Sequence, residues 1–225
     1  MLERVAIRLG PLRERVVFVG GATVELLITD PIASAARLTK DVDAIVAVAS
    51  TIDYQIKIGD ELRALGFRED TRKGAPLCRW LIEDLIVDLM PTNTAILGFS
   101  NDWYDEALAT ANERILPGGT SIRVVTAPCL IATKLEAFDG RGRGDYQASH
   151  DLEDLISVVD GRPELIAELA TATPPLRAFI ASRVTALLSE PAFVEALPGH
   201  LRPDATSQAR VHLILDRLRA LVKAP

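Results

Sequence analysis

The hydrophobic pattern changes character a little past the middle of the chain. Before residue 126 the apolar positions come in short, β-branched runs stopped by glycine, proline or paired charges. That pattern predicts strands at 16–19, 44–49, 77–81, 85–90 and 121–125. Helical spacing predicts helices at 22–28 and 53–65. In the second, Ile56, Ile58, Leu62 and Leu65 share a register and Gly66 is the stop. Glu83-Asp84 is a tight turn joining two of the strands. Residues 2–15 suit a short helix and a turn around Gly10-Pro11, while 103–116 fits neither period. After residue 126 the pattern is helical throughout. A helix begins at Pro128, another is capped by Ser149, and others follow at 164–170, 176–188, 192–196 and 205–222. The expected fold class is therefore α/β (α+β): a mixed β-sheet flanked by helices over 1–126, then a helical half over 127–225 that completes a cleft with it.

Composition narrows the class of protein. The chain has 225 residues, 48% of them hydrophobic and 25% charged, which excludes intrinsic disorder and leaves room for two real cores. A formal net charge of −6 argues against a surface coated for long nucleic acid. Arg210, Arg217, Arg219 and Lys223 on the last helix read as a solvated helix face, with a local basic patch as the alternative. Cys78 and Cys129 each lie in apolar surroundings and are expected to be buried thiols. The start, Met1-Leu2-Glu3-Arg4, has no basic segment followed by an apolar one, and no apolar run reaches the roughly 18 residues of a membrane span. The expectation is a cytoplasmic protein with no membrane partner.

The candidate chemistry starts at Val16-Val17-Phe18-Val19-Gly20-Gly21-Ala22-Thr23, an apolar run that halts at two glycines. Such a turn allows close backbone approach, and its N–H groups suit a phosphate; a plain strand-to-helix turn is the alternative. Arg37-x-Thr39-x-Asp41-x-Asp43 follows. On a strand, residues i and i+2 point to one side, so Asp41 and Asp43 converge. Asp88 interrupts an apolar strand, where a buried charge needs either a shared metal or an arginine. Converging carboxylates beside a glycine turn suit a divalent metal carrying a phosphate. Lys134 sits on the helix after Pro128, aimed at a phosphate or snorkelling over the core. The loop expected at 139–145, with Arg141 and Arg143, is either a clamp or a solvated loop. Asp151 and Asp154 suit the start of their helix in any case.

Taken together, Gly20-Gly21-Ala22-Thr23, Arg37-x-Thr39-x-Asp41-Val42-Asp43, Val87-Asp88-Leu89-Met90-Pro91, Ala132-Thr133-Lys134-Leu135-x-Ala137 and Asp151-x-x-Asp154-Leu155 resemble the AbiEii/AbiGii-type nucleotidyltransferases. These are toxins of type IV-like toxin–antitoxin and abortive-infection systems, within the DNA polymerase β-like nucleotidyltransferase superfamily. The resemblance runs over about residues 16–155. It implies a nucleotidyltransferase-type sheet and transfer of an NMP from an NTP (ATP, GTP, CTP or UTP) to a hydroxyl, with loss of pyrophosphate. It implies Mg²⁺ or Mn²⁺ on Asp41, Asp43 and Asp88, with Asp88 activating the hydroxyl. It places Gly20, Gly21, Thr39 and Lys134 on the triphosphate and Asp151 in support. His150 stands where the family carries a basic residue, so Asp154 is an alternative to Asp151. The implied acceptor is an RNA end such as tRNA, and the implied partner a cognate antitoxin. A small-molecule hydroxyl, such as that of an antibiotic, is the competing acceptor. A non-catalytic binding protein of the same fold is the competing class.

Overall fold

In the computed structural model, residues 1–98, 101–142 and 144–223 are described. The chain forms two compact units, Met1–Thr23 with Leu38–Thr126 and Val24–Arg37 with Ala127–Pro225. The fold class is mixed α/β, with one seven-stranded sheet and many helices.

The first unit carries the sheet. Its strands are β1 (Val16–Val19), β2 (Asp41–Val46), β3 (Arg68–Glu69), β4 (Arg79–Ile82), β5 (Leu85–Pro91), β6 (Asn112–Ile115) and β7 (Ser121–Val124). They lie in the order β3-β4-β5-β2-β1-β7-β6. β2 runs parallel to β5 and antiparallel to β1; β4 and β5 form the hairpin expected at Glu83-Asp84. Position in the sheet explains each strand's sequence. β1 is apolar and buried at every residue, whereas β2 alternates at its start, with Val42 and Ala44 buried and Asp41 and Asp43 half-buried on the opposite face. β6 is an edge strand exposed at all four residues, so it has no inward face to print a period on its sequence. It follows a helix, Tyr104–Thr110, and together these account for the unreadable stretch at 103–116. The helix expected at 53–65 begins as a wide π-turn, Asp53–Ile58, and tightens into Gly59–Ala64. The wide turn shifts the register: Ile58 and Leu62 are buried, while Ile56 is 55% exposed. Tyr54 in that turn donates its Oη–H to the Leu89 carbonyl at 2.6 Å, tying it to β5 next to Asp88.

The second unit is helical. Its longer helices are Ala127–Arg141, His150–Gly161, Pro174–Leu188 and Val211–Lys223. Leu130, Leu135, Leu155, Ile180, Ile214 and Leu218 lie in their common core. The segment Val24–Arg37 belongs to this unit because its polar groups are satisfied there. The backbone N–H groups of Thr29 and Asp30 both donate to the Gly161 carbonyl, at 2.8 and 2.9 Å. Gly161 admits that approach, since a Cβ on it would stand 2.8 Å from Ile28 Cγ1. Arg162 adds a bond to the Leu27 carbonyl at 2.7 Å.

Three expectations are revised by the fold. The helix from Ala127 runs through Asp139 and Gly140 to Arg141, so the loop expected from 139 starts later. Arg141 stays helical because its guanidinium is anchored on Asp151; Arg143 lies outside the described residues. The last helix is two, Ala205–Ala209 and Val211–Lys223, parted at Arg210. Its arginines are not a basic patch. Arg210 pairs with Asp30 at 2.6 Å and Asp160 at 2.7 Å, Arg219 pairs with Asp216, and Arg217 donates to the carbonyls of Val159 and Asp160. Ser149 caps its helix as expected, accepting from the Leu152 N–H. Cys78 and Cys129 are both buried, and burial with the nearby Asp88 charge pushes the Cys78 thiol up to about 12. Among the described residues, no helix is long and apolar enough to cross a membrane.

Candidate functional site

Within the first unit, three sequence-predicted acids meet on one face of the sheet. Asp41 and Asp43 are two residues apart on β2, so the pleat turns both the same way. Asp43 lies directly opposite Asp88 of the parallel neighbour β5. Asp43 is also the cross-strand neighbour of Val19, the last residue of β1, and the chain turns at Gly20 immediately beyond. Gly20 has φ +70°, and a Cβ there would fall 2.0 Å from Asp43 Oδ2. Only glycine serves at this position, both for the left-handed backbone and for the room the carboxylate takes. The Gly20 carbonyl accepts from the Thr23 N–H at 3.1 Å and the Thr23 hydroxyl at 2.8 Å, which closes the turn through buried Gly21. Thr39 is half-buried, and its hydroxyl donates to the Asp41 carbonyl at 3.2 Å. The glycine turn, Thr39 and the three acids therefore belong to one unit.

Arg79 joins the same face. It is the antiparallel partner of Asp88 across β4 and β5. Its Nε and Nη2 donate to the two Asp88 oxygens at 2.8 and 2.6 Å, and Nη2 reaches Asp41 Oδ2 at 3.4 Å. The hydrogen bonds to Asp88 raise the Arg79 pKa above the usual guanidinium value, so its charge is permanent. Asp88 is nearly buried, its side chain 10% exposed, against 37% for Asp41. Of the two partners open to Asp88, the arginine is the one present. The sequence carried a signal for it. With the turn at Glu83-Asp84, Arg79 lies four residues before the turn and Asp88 four residues after it, which makes them cross-strand neighbours in a two-residue hairpin.

The donor set can be tested against a divalent cation. Asp41 and Asp43 are oxygen donors on one face, with the Gly20 turn pressed against Asp43, and they fit one such ion. Asp88 fits less well as a third ligand, since both of its oxygens are hydrogen-bonded to Arg79. Among the described residues, no group of three or more His, Cys, Asp or Glu side chains is assembled as a metal site.

Lys134 and Asp151 lie in the second unit and are engaged with each other. Lys134, only 8% exposed at its side chain, places Nζ 2.6 Å from Asp154 and 3.2 Å from Asp151. Arg37 makes two bonds to Asp154 at 2.8 and 3.1 Å, and Arg141 makes two to Asp151 at 2.9 and 2.8 Å. Burial alone would raise the Asp151 pKa; the Arg141 bonds and the Lys134 charge outweigh it and hold the carboxyl below the usual range. The result is an alternating row, Arg37–Asp154–Lys134–Asp151–Arg141. It accounts for Arg37 and for both candidate later aspartates without a ligand. His150 points instead to Glu153, 3.1 Å away.

No protein-family model matches the sequence, and no curated protein matches it. Among solved structures, the solution structure of the antibiotic-resistance factor ANT(2'')-Ia overlays at a TM-score of 0.49 with 16% identity, over 84% of this chain and 93% of that one. A crystal structure of ANT(2")-Ia with adenylyl-2"-tobramycin gives 0.43 and 15%, over 82% and 95%. The crystal structure of JHP933 from Helicobacter pylori gives 0.49 and 15%, over 99% and 89%. Overlays at these scores and identities assign neither a substrate nor a role to any residue of this chain.

Proposed function

We propose that the protein transfers a nucleotide from an NTP to an acceptor hydroxyl, using a divalent cation on Asp41 and Asp43. The observation that supports this best is the convergence of Asp41, Asp43 and Asp88 on adjacent strands beside a turn where Gly20 can carry no side chain. When bound, the cation would neutralise the phosphates and steady the leaving pyrophosphate. The chain's own groups supply position. The backbone of Gly20 and Gly21 and the hydroxyl of Thr39 would face the triphosphate. Each Asp88 oxygen keeps a lone pair beyond the one that Arg79 engages, so Asp88 can accept the hydrogen bond of the attacking hydroxyl. The acceptor oxygen then bonds to the α-phosphorus as the bond to the β-phosphate oxygen breaks. The proton passes to Asp88 and pyrophosphate departs. Lys134 and Asp151 are assigned to the ion row of the helical unit and not to the phosphates.

Two acceptors are in view: an RNA end, as in a tRNA-directed toxin with its antitoxin, and a small-molecule hydroxyl such as that of an antibiotic. The second is favoured by one observation. The arginines that would have made a nucleic-acid patch are spent on Asp30, Asp160, Asp216 and backbone carbonyls, in a chain of net charge −6. The test is incubation with each labelled NTP and Mg²⁺, with total tRNA in one arm and hydroxylated small molecules in the other, beside Asp41→Ala. Label should move to one acceptor class, and Asp41→Ala should lower the rate by about 1000-fold or more. Near-normal transfer by Asp41→Ala would overturn the assignment.

A further inference from the structure

The acidic face carries a charge pattern that the proposed reaction does not by itself require. Three carboxylates converge there, and the family resemblance would give all three to metal. Asp88 already has a cation. Arg79 and Asp88 face each other across the hairpin and are joined by two bonds of 2.8 and 2.6 Å, in a setting where the arginine side chain is 23% and the aspartate 10% exposed. A bidentate guanidinium–carboxylate pair in that setting is among the stronger polar contacts a protein makes, and it is directional as well as charged. Its Nη2 also reaches toward Asp41 at 3.4 Å, so the guanidinium is shared, unequally, between two of the three acids.

We infer that Arg79 is a built-in second cation of this face: the site takes one divalent ion, on Asp41 and Asp43, and the Arg79 guanidinium holds the place on Asp88 that a second ion would need. The inference rests on the metal-dependent function proposed for this face and departs from the three-carboxylate set that the resemblance implies. The geometry of the pair supports it, since both Asp88 oxygens are engaged by Arg79. A second divalent ion would have to displace a bidentate arginine from a nearly buried carboxylate, leaving that arginine without its partner. Hairpin register fixes Arg79 here whether or not an ion is bound, since it is opposite Asp88 through the backbone and not through a flexible loop. Arg79 is therefore a positioning residue. It holds the Asp88 carboxylate in one orientation before any nucleotide arrives.

The test counts ions instead of turnover. The full-length protein, free of nucleotide, is titrated with Mn²⁺ and the bound ion is counted by electron paramagnetic resonance and by calorimetry. The same is done for Arg79→Met, Arg79→Lys and Asp43→Asn, after circular dichroism has confirmed that each is folded. The wild type should bind one Mn²⁺ per chain, and Asp43→Asn should lose it. Arg79→Met should gain a second equivalent, or bind the first about tenfold more tightly, because a positive charge has left the face. Arg79→Lys, which keeps the charge, should stay at one. Two Mn²⁺ per wild-type chain would overturn the inference while leaving metal-dependent transfer standing. One Mn²⁺ of unchanged affinity in Arg79→Met would also overturn it, since the arginine would then be holding no cation's place. Absence of Mn²⁺ from the wild type and from Arg79→Met alike would remove the metal reading itself. The wild-type count decides the matter even if Arg79→Met does not fold.

Discussion

The two units carry similar charged groups toward opposite ends. In the helical unit, Arg37, Lys134 and Arg141 enclose Asp151 and Asp154, so every carboxylate of the row touches two cations. In the sheet unit, Arg79 is paired with Asp88 and reaches Asp41, and Asp41 is more exposed than either Asp88 or Arg79. The first row is closed: its charges answer one another, and its value is in fixing the start of one helix against the middle of another. The second is open: the Asp41 side chain, 37% exposed, stays turned toward solvent beside Asp43 and Asp88. Like charges brought together cost stability, which is why such clusters mark function more often than closed rows do. A motif residue is thus not a site residue by virtue of the motif alone; the balance of its neighbours decides.

The contrast between closed row and open face can be broken most forcefully at Lys134. Replacing it with methionine keeps the packing volume but leaves two buried carboxylates pressed together with only one arginine each. A loss of about 3 kcal/mol in urea unfolding is expected, with the remaining transfer activity following the folded fraction. Asp41→Ala should do the reverse, abolishing transfer with less than about 1 kcal/mol of destabilisation, because its carboxylate is partly solvated. A Lys134→Met protein that is fully stable but inactive would reassign Lys134 to the reaction. Next in size is Gly20→Ala, where a methyl group meets the Asp43 carboxylate and the backbone is held at φ +70°. It should cost about 1–2 kcal/mol and lower activity as well, since the carboxylate that must shift is a proposed ligand. The smallest effect is one of pH. The folded Asp151 pKa is depressed, so its contribution to stability is complete above its unfolded value of roughly 3.9 and is lost as pH falls through the folded value. Urea midpoints should show this acid-side loss in the wild type, and Asp151→Asn should lack that component of it.

Much of the sheet was legible because its strands print their surroundings on their own residues. β1 reads as a buried strand, and Asp41-Val42-Asp43 reads as an outward–inward–outward alternation, from short stretches alone. The Glu83-Asp84 hairpin even implied the register that joins Arg79 to Asp88. Distant pairing was not legible in the same way. Lys134 finds its partners on the helix His150–Gly161, and Arg210 finds Asp30 from the far end of the chain. No local periodicity encodes a partner on another element, 17 residues away for Lys134 and 180 for Arg210, so a lysine on a helix edge and an arginine on a last helix read as solvent-facing until the fold is seen. Gly140 misled for the opposite reason: a glycine usually marks a helix end, but here Arg141, anchored on Asp151, carries the helix past it.

The segment Val24–Arg37 has a consequence for how the chain comes into being. It leaves the sheet unit after Thr23 and returns to it at Leu38, so three covalent passages join the units, and a cut after Thr126 would keep the sheet unit on one fragment but strip the helical unit of Val24–Arg37. Thr29 must also wait for Gly161, whose carbonyl it bonds. At ordinary rates of protein synthesis that wait is on the order of ten seconds. During it β1 has already been made and β2 cannot pair with it except by looping the unpartnered segment out. The order in which this protein is written on the ribosome therefore differs from the order in which its helical unit can close.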